Sequence, residues 1–166
     1  MTPGARPRRG AILIGMAAGA LWMLAVVWGP QLASPPFLPP PLALPGAFLA
    51  PGLVMAAMIG RLAQRRFFDD ALIDGAEFAP GSPAWLDQRV LVNTAEQLLL
   101  AVAIWPFVAL SLGGAVVLVM GLAFALARLA FWAGYHRAPA LRAFGFAATF
   151  YPTVLAGLWS LVAWLV

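Results

Sequence analysis

Arg89, Asn93 and Glu96 stand four and three residues apart in the stretch "DQRVLVNTAEQLLLAVAIWPF", which then runs into unbroken apolar sequence. On a helix turning 100° per residue, these spacings bring a guanidinium, an amide and a carboxylate onto one face. The next apolar segment repeats the device with Arg128 and Tyr135, seven residues apart, and Arg142 opens the segment after it. Ionisable groups are expensive in hydrocarbon, so such a stripe faces other helices or a wet cavity. The three segments together offer more donors than one carboxylate can use, and the surplus positive charge suits a small anionic ligand. The competing reading is packing alone, with Glu96 pairing to Arg128 or Arg89 to hold helices together.

The elements that must position these groups follow from composition. The chain is 63% hydrophobic and 10% charged, which excludes an ordinary soluble domain and describes an all-α integral membrane protein. Five apolar stretches, residues 11–28, 45–60, 90–112, 113–127 extended by 129–135, and 144–166, are candidate spans. The second is short and needs residues 42–50 or snorkelling arginines to reach across. None shows the period-2 alternation of a barrel strand, and helices satisfy their backbone without a partner. The proline-rich "SPPFLPPPLALPG" reads as a stiff extended connector outside the membrane. Residues 62–86 read as a solvated loop whose acids lack the close alternation of a calcium site, so no metal is expected.

There is no lysine, and with five alternating spans all ten arginines fall on one side, which the positive-inside rule makes cytoplasmic. The N-terminus is then inside and the C-terminus outside. A pI near 11.1 reports this topology and contact with anionic lipid headgroups, not nucleic acid. Arg8 and Arg9 before an apolar run also resemble a secretory signal, but the run is long and Gln31 occupies the place of a small residue two before Ala33, which favours a retained helix. With no cysteine, any thiol chemistry uses a borrowed thiol. The single His136 is expected to be an interfacial residue, and the charge-free run from 102 to 118 speaks against an ion path.

"RVLVNTAEQ" followed by "ARLAFWAGYHRAPALRAFGF" resembles the MAPEG family, the membrane-associated proteins of eicosanoid and glutathione metabolism. Arg89, Asn93 and Glu96 match its Arg, three residues, Asn, two residues, Glu signature; Arg128 and Tyr135 match the element of the next helix, and Arg142 the arginine opening the last. The resemblance implies a bacterial inner-membrane member with a four-helix domain at 46–166 and an additional N-terminal transmembrane helix and connector at 1–45. It implies a homotrimer that binds glutathione as co-substrate at subunit interfaces. Asn93 and Glu96 would take the polar and amino groups, Arg89 with Arg61 or Arg65 the carboxylates, and Arg128 and Tyr135 would complete the binding set. Arg142 would be catalytic, facing the thiol. The second substrate would be an apolar electrophile or lipid hydroperoxide arriving through the bilayer. Val92, Gln97 and Phe131 depart from the pattern, and each removes a contact to glutathione. The alternative is a non-catalytic scaffold or lipid-binding subunit of the same fold.

The arginine distribution predicts that a reporter fused after Val166 reads as external and one inserted at 69–81 as cytoplasmic. A cytoplasmic C-terminal reporter in the intact protein would refute five alternating spans.

Overall fold

A computed structural model describes residues 5–166, with side chains from Arg9 onward, so the side chains of Arg6 and Arg8 lie outside the described residues. Five helices follow one another: α1 (Ala5–Leu32), α2 (Pro40–Phe67), α3 (Pro83–Leu112), α4 (Gly114–Arg137) and α5 (Pro139–Leu165). All five are long and apolar enough to cross a membrane, and no strand occurs among the described residues. The shortest, α4 with 24 residues, would extend about 36 Å, more than the hydrocarbon thickness of about 30 Å.

Three boundaries differ from expectation, the start of α3 and both ends of α2. α2 begins at Pro40, inside the stretch read as an extended connector. Proline at the start of a helix forfeits no bond, because the first N–H groups have no intrahelical acceptor, and its fixed φ is already helical. At the other end α2 continues to Phe67 and α3 already begins at Pro83, so the loop shrinks to residues 68–82. The span that looked short therefore has 28 residues.

Local signals start and stop the other helices. Ser82 caps α3, its hydroxyl accepting from the Trp85 N–H at 3.1 Å, with Pro83 next in line. Gly113, at φ +97°, is the one residue between α3 and α4, a backbone state that glycine adopts without strain. Ala138 alone separates α4 from α5.

α4 is the most enclosed span and touches each of the other four, while α1 packs chiefly along α5. The central core gathers around Trp105, which stacks on Phe48 at 5.3 Å, meets Phe124 edge-on at 5.9 Å and donates its indole N–H to Thr153 at 3.2 Å. α1 is seated by Trp22 against Phe144 and Trp28 against Trp159, both edge-on at 6.0 Å. This core holds the arginine-bearing ends of α2 to α5 in register.

Candidate functional site

Arg128 is fully buried, at 0% exposure. A guanidinium out of water needs acceptors from the protein, and two helices supply three of them. One terminal nitrogen donates to Asn93 Oδ1 of α3 at 3.0 Å; the other donates to the Gly145 carbonyl at 2.9 Å and to Thr149 Oγ1 of α5 at 2.7 Å. Gly145 is required here: a Cβ would lie about 2.5 Å from the Phe131 backbone nitrogen, so any side chain would push α5 off α4 and take the carbonyl with it. Phe131 lies under the guanidinium, 4.2 Å from ring centroid to Cζ. Arg128 thus joins α3, α4 and α5.

Asn93, fixed by Arg128 through its oxygen, donates its amide to Glu96 Oε2 at 3.2 Å. Glu96 pairs with neither Arg128 nor Arg89, contrary to the packing reading. It stands on the outward face of α3 with Arg89 and Val92, whereas Asn93 turns inward to Arg128. Arg89 lies instead over the Trp85 ring at 4.3 Å.

Both arginine–carboxylate ion pairs among the described residues, and the one histidine–carboxylate contact, fall on a carboxylate that sequence reasoning passed over, Asp87 in the first turns of α3. It is 2% exposed. Arg61 and Arg65, four apart on α2, reach its Oδ2 at 3.0 and 3.1 Å. Trp132 and His136, four apart on α4, reach its Oδ1, both at 2.7 Å. His136 is therefore a member of this cluster and not merely an interfacial residue. The signal was present: two residue pairs at helical spacing on neighbouring helices, facing the one acid at the mouth of the third.

Tyr135 and Arg142 form the remaining part of the site. The Arg142 guanidinium lies 5.2 Å from the Tyr135 ring centroid, and Tyr135 meets Phe131 edge-on at 5.0 Å. Both line a cavity of about 410 Å³ that also takes in Asn93 and Phe131. Of the expected residues, the structure brings Asn93, Tyr135 and Arg142 to one cavity, places Arg128 directly behind Asn93, and sets Glu96 and Arg89 beside them on the outward face. Arg61 and Arg65 are gathered elsewhere, at Asp87.

Fold and site define a multi-pass membrane protein, a bundle of helices with a cationic pocket near the arginine-bearing end of its spans. The MAPEG family model matches residues 42–162, and the chain belongs to that family. At family level, membership supports a membrane function related to glutathione, of the transferase or peroxidase kind. α1 lies outside the matched residues. No curated protein and no solved structure matches the chain.

Replacing Asp87 by asparagine removes the charge and one of the two acceptor oxygens that Arg61, Arg65, Trp132 and His136 share. Asp87→Asn should cost about 1.5–3 kcal/mol, the usual worth of a hydrogen bond to a charged group, seen as earlier thermal aggregation in detergent. Arg89→Ala, losing only its place over Trp85, should cost about 0.5–1 kcal/mol. Equal losses in the two variants would contradict the ranking.

Proposed function

We propose that this protein is a membrane-bound, glutathione-dependent transferase or peroxidase acting on a hydrophobic electrophile or lipid hydroperoxide. The observation that carries this reading is Arg142: a guanidinium over the Tyr135 ring, at the wall of a cavity, with no carboxylate among its described partners. A cation so placed stabilises an anion that arrives with a ligand.

The donor set fits glutathione, which carries two carboxylates, one ammonium and a thiol. Glu96, whose one described side-chain contact is the Asn93 amide, is available to the ammonium. Asn93 and Tyr135 bind the peptide body, and Arg89 a carboxylate. Arg61 and Arg65 share one Asp87 oxygen away from that cavity, so their remaining N–H groups would meet the other carboxylate only from a neighbouring subunit. Arg128 acts through Asn93, whose amide it orients. Arg142 is the catalytic residue, since a positive charge beside a thiol lowers its pKa and raises the thiolate fraction at neutral pH. Bound there, glutathione would supply a thiolate able to displace a leaving group or take the distal oxygen of a hydroperoxide.

The assembly in this reading is a homotrimer in the bacterial inner membrane, N-terminus cytoplasmic, with lipid around its outer faces. Support comes from the outward face of α3, where Arg89 and Glu96 stand among exposed Val92, Leu99 and Leu110. Charge on an otherwise apolar helix face calls for a protein partner in place of lipid. Native mass spectrometry from detergent should show three copies; a strictly monomeric species that still binds glutathione would refute an intersubunit site.

The second reading, a scaffold or lipid-binding subunit, is favoured by Arg128, which is fully buried and uses both terminal nitrogens to hold α3 and α5. Arg142 separates the two. Arg142→Ala should lose most thiol-dependent turnover while keeping the trimer and most of the glutathione affinity. The loss of roughly one to two units of thiol pKa depression corresponds to roughly 1.4–2.7 kcal/mol. Ultraviolet absorbance of bound thiolate near neutral pH reads this directly, and Arg142→Lys should retain part of it. Equal thiolate in wild type and Arg142→Ala would favour the scaffold.

A further inference from the structure

The cavity at Arg142 has a wall that the family pattern does not provide. Ile12 and Met16 of α1, one turn apart, line it opposite Ala143, Phe146 and Tyr151 of α5. α1 is held there by close backbone approach. A Cβ on Gly15 would strike the Ala140 carbonyl oxygen, and one on Gly19 the Ala147 side chain, so the helix sits on α5 with nothing between them. Trp22 against Phe144 secures the next turn. The N-terminal helix is thus part of the pocket and not an appendage to it.

Tyr135 and Arg142 stand together in the cavity lining, while Asn93, held with Thr149 by the one guanidinium of Arg128, lies further along α5 toward Tyr151. From Arg142 to Tyr151 the helix rises about 14 Å. Between these ends the walls are Met16, Ile12, Phe131, Ala143 and Phe146. Met16 is 40% exposed, so the slot has an apolar side open toward the membrane. Methionine adapts its unbranched thioether to irregular apolar surfaces, which suits a wall that must accept chains of differing shape.

We infer that α1 and α5 together form the acceptor site, an apolar slot for an alkyl or aryl chain whose reactive end meets the sulfur beside Arg142. This inference rests on the glutathione reading above and adds to it the place of the second substrate and the part of α1 in holding it. Met16 and Ala143 are the specificity-determining residues, one on each wall. A chain attached to the sulfur at Arg142 would run along α5 past Phe146 toward Tyr151, meeting α1 at Ile12 and Met16.

The test compares two ligands by calorimetry on the full chain in detergent: glutathione and its S-hexyl thioether, which carries the alkyl chain already joined to sulfur. Wild type should bind the thioether more tightly than glutathione. Met16→Trp and Ala143→Leu fill the slot from opposite walls. Each should weaken the thioether by about tenfold, as when a few methylenes are denied burial, and leave glutathione within about twofold. Unchanged thioether affinity in both variants would overturn the slot while leaving the glutathione reading intact. Wild type that binds neither ligand would overturn the glutathione reading, and the acceptor slot with it. Parallel loss of both ligands in both variants, with the oligomer retained, would also overturn the slot, since it would place Met16 and Ala143 at the peptide instead.

Discussion

A guanidinium without water must find its hydrogen bonds in the protein, and at Arg128 this requirement governs how three helices meet. Its acceptors are a side-chain amide on α3, a backbone carbonyl on α5 and a hydroxyl one turn further along α5. They can be supplied together only if α5 lies close on α4, which Gly145 permits, and if α3 presents Asn93 inward. That same placement orients the Asn93 amide toward Glu96 and brings Tyr135 and Arg142 to a shared cavity. The polar cost of burying one cation is offset by a geometry that also shapes the pocket.

A second polar centre sits at the same end and has the opposite sign at its heart. Asp87 gathers donors from α2 and α4 onto the start of α3, so α2, which Arg128 does not reach, is tied in as well. The two centres use the arginines differently. Arg61 and Arg65 are neutralised in part by Asp87, whereas Arg142 faces only an aromatic ring. Arg142, over an aromatic ring, and Arg89, on the outward face, thus keep their positive charge for a ligand.

The sequence displayed the spans, the polar stripe and the common face of Arg128 and Tyr135, because hydrophobic run length and helical spacing express directly which way residues point. It did not display which neighbouring helix each face meets. Glu96 could be assigned to either arginine from spacing alone, and in the structure it pairs with neither. Asp87 escaped notice because a carboxylate one residue past a loop reads as solvated until helices from both sides are seen to close over it. The start of α2 was hidden for another reason: prolines at 40, 41 and 45 weigh toward an extended chain by composition, while their tolerance near a helix start depends on position.

Tyr135 and His136 are consecutive, and on a helix consecutive side chains diverge by about 100°. One lines the cavity with Arg142; the other is bonded to Asp87 on a different side of α4. Further up the same helix, Arg128 is bonded to both α3 and α5. The end of α4 is thus pinned at several points around its circumference and cannot turn about its own axis without breaking a polar contact. The phenol ring beneath Arg142 inherits that torsional restraint, so its orientation toward an incoming ligand is set by a carboxylate it does not touch.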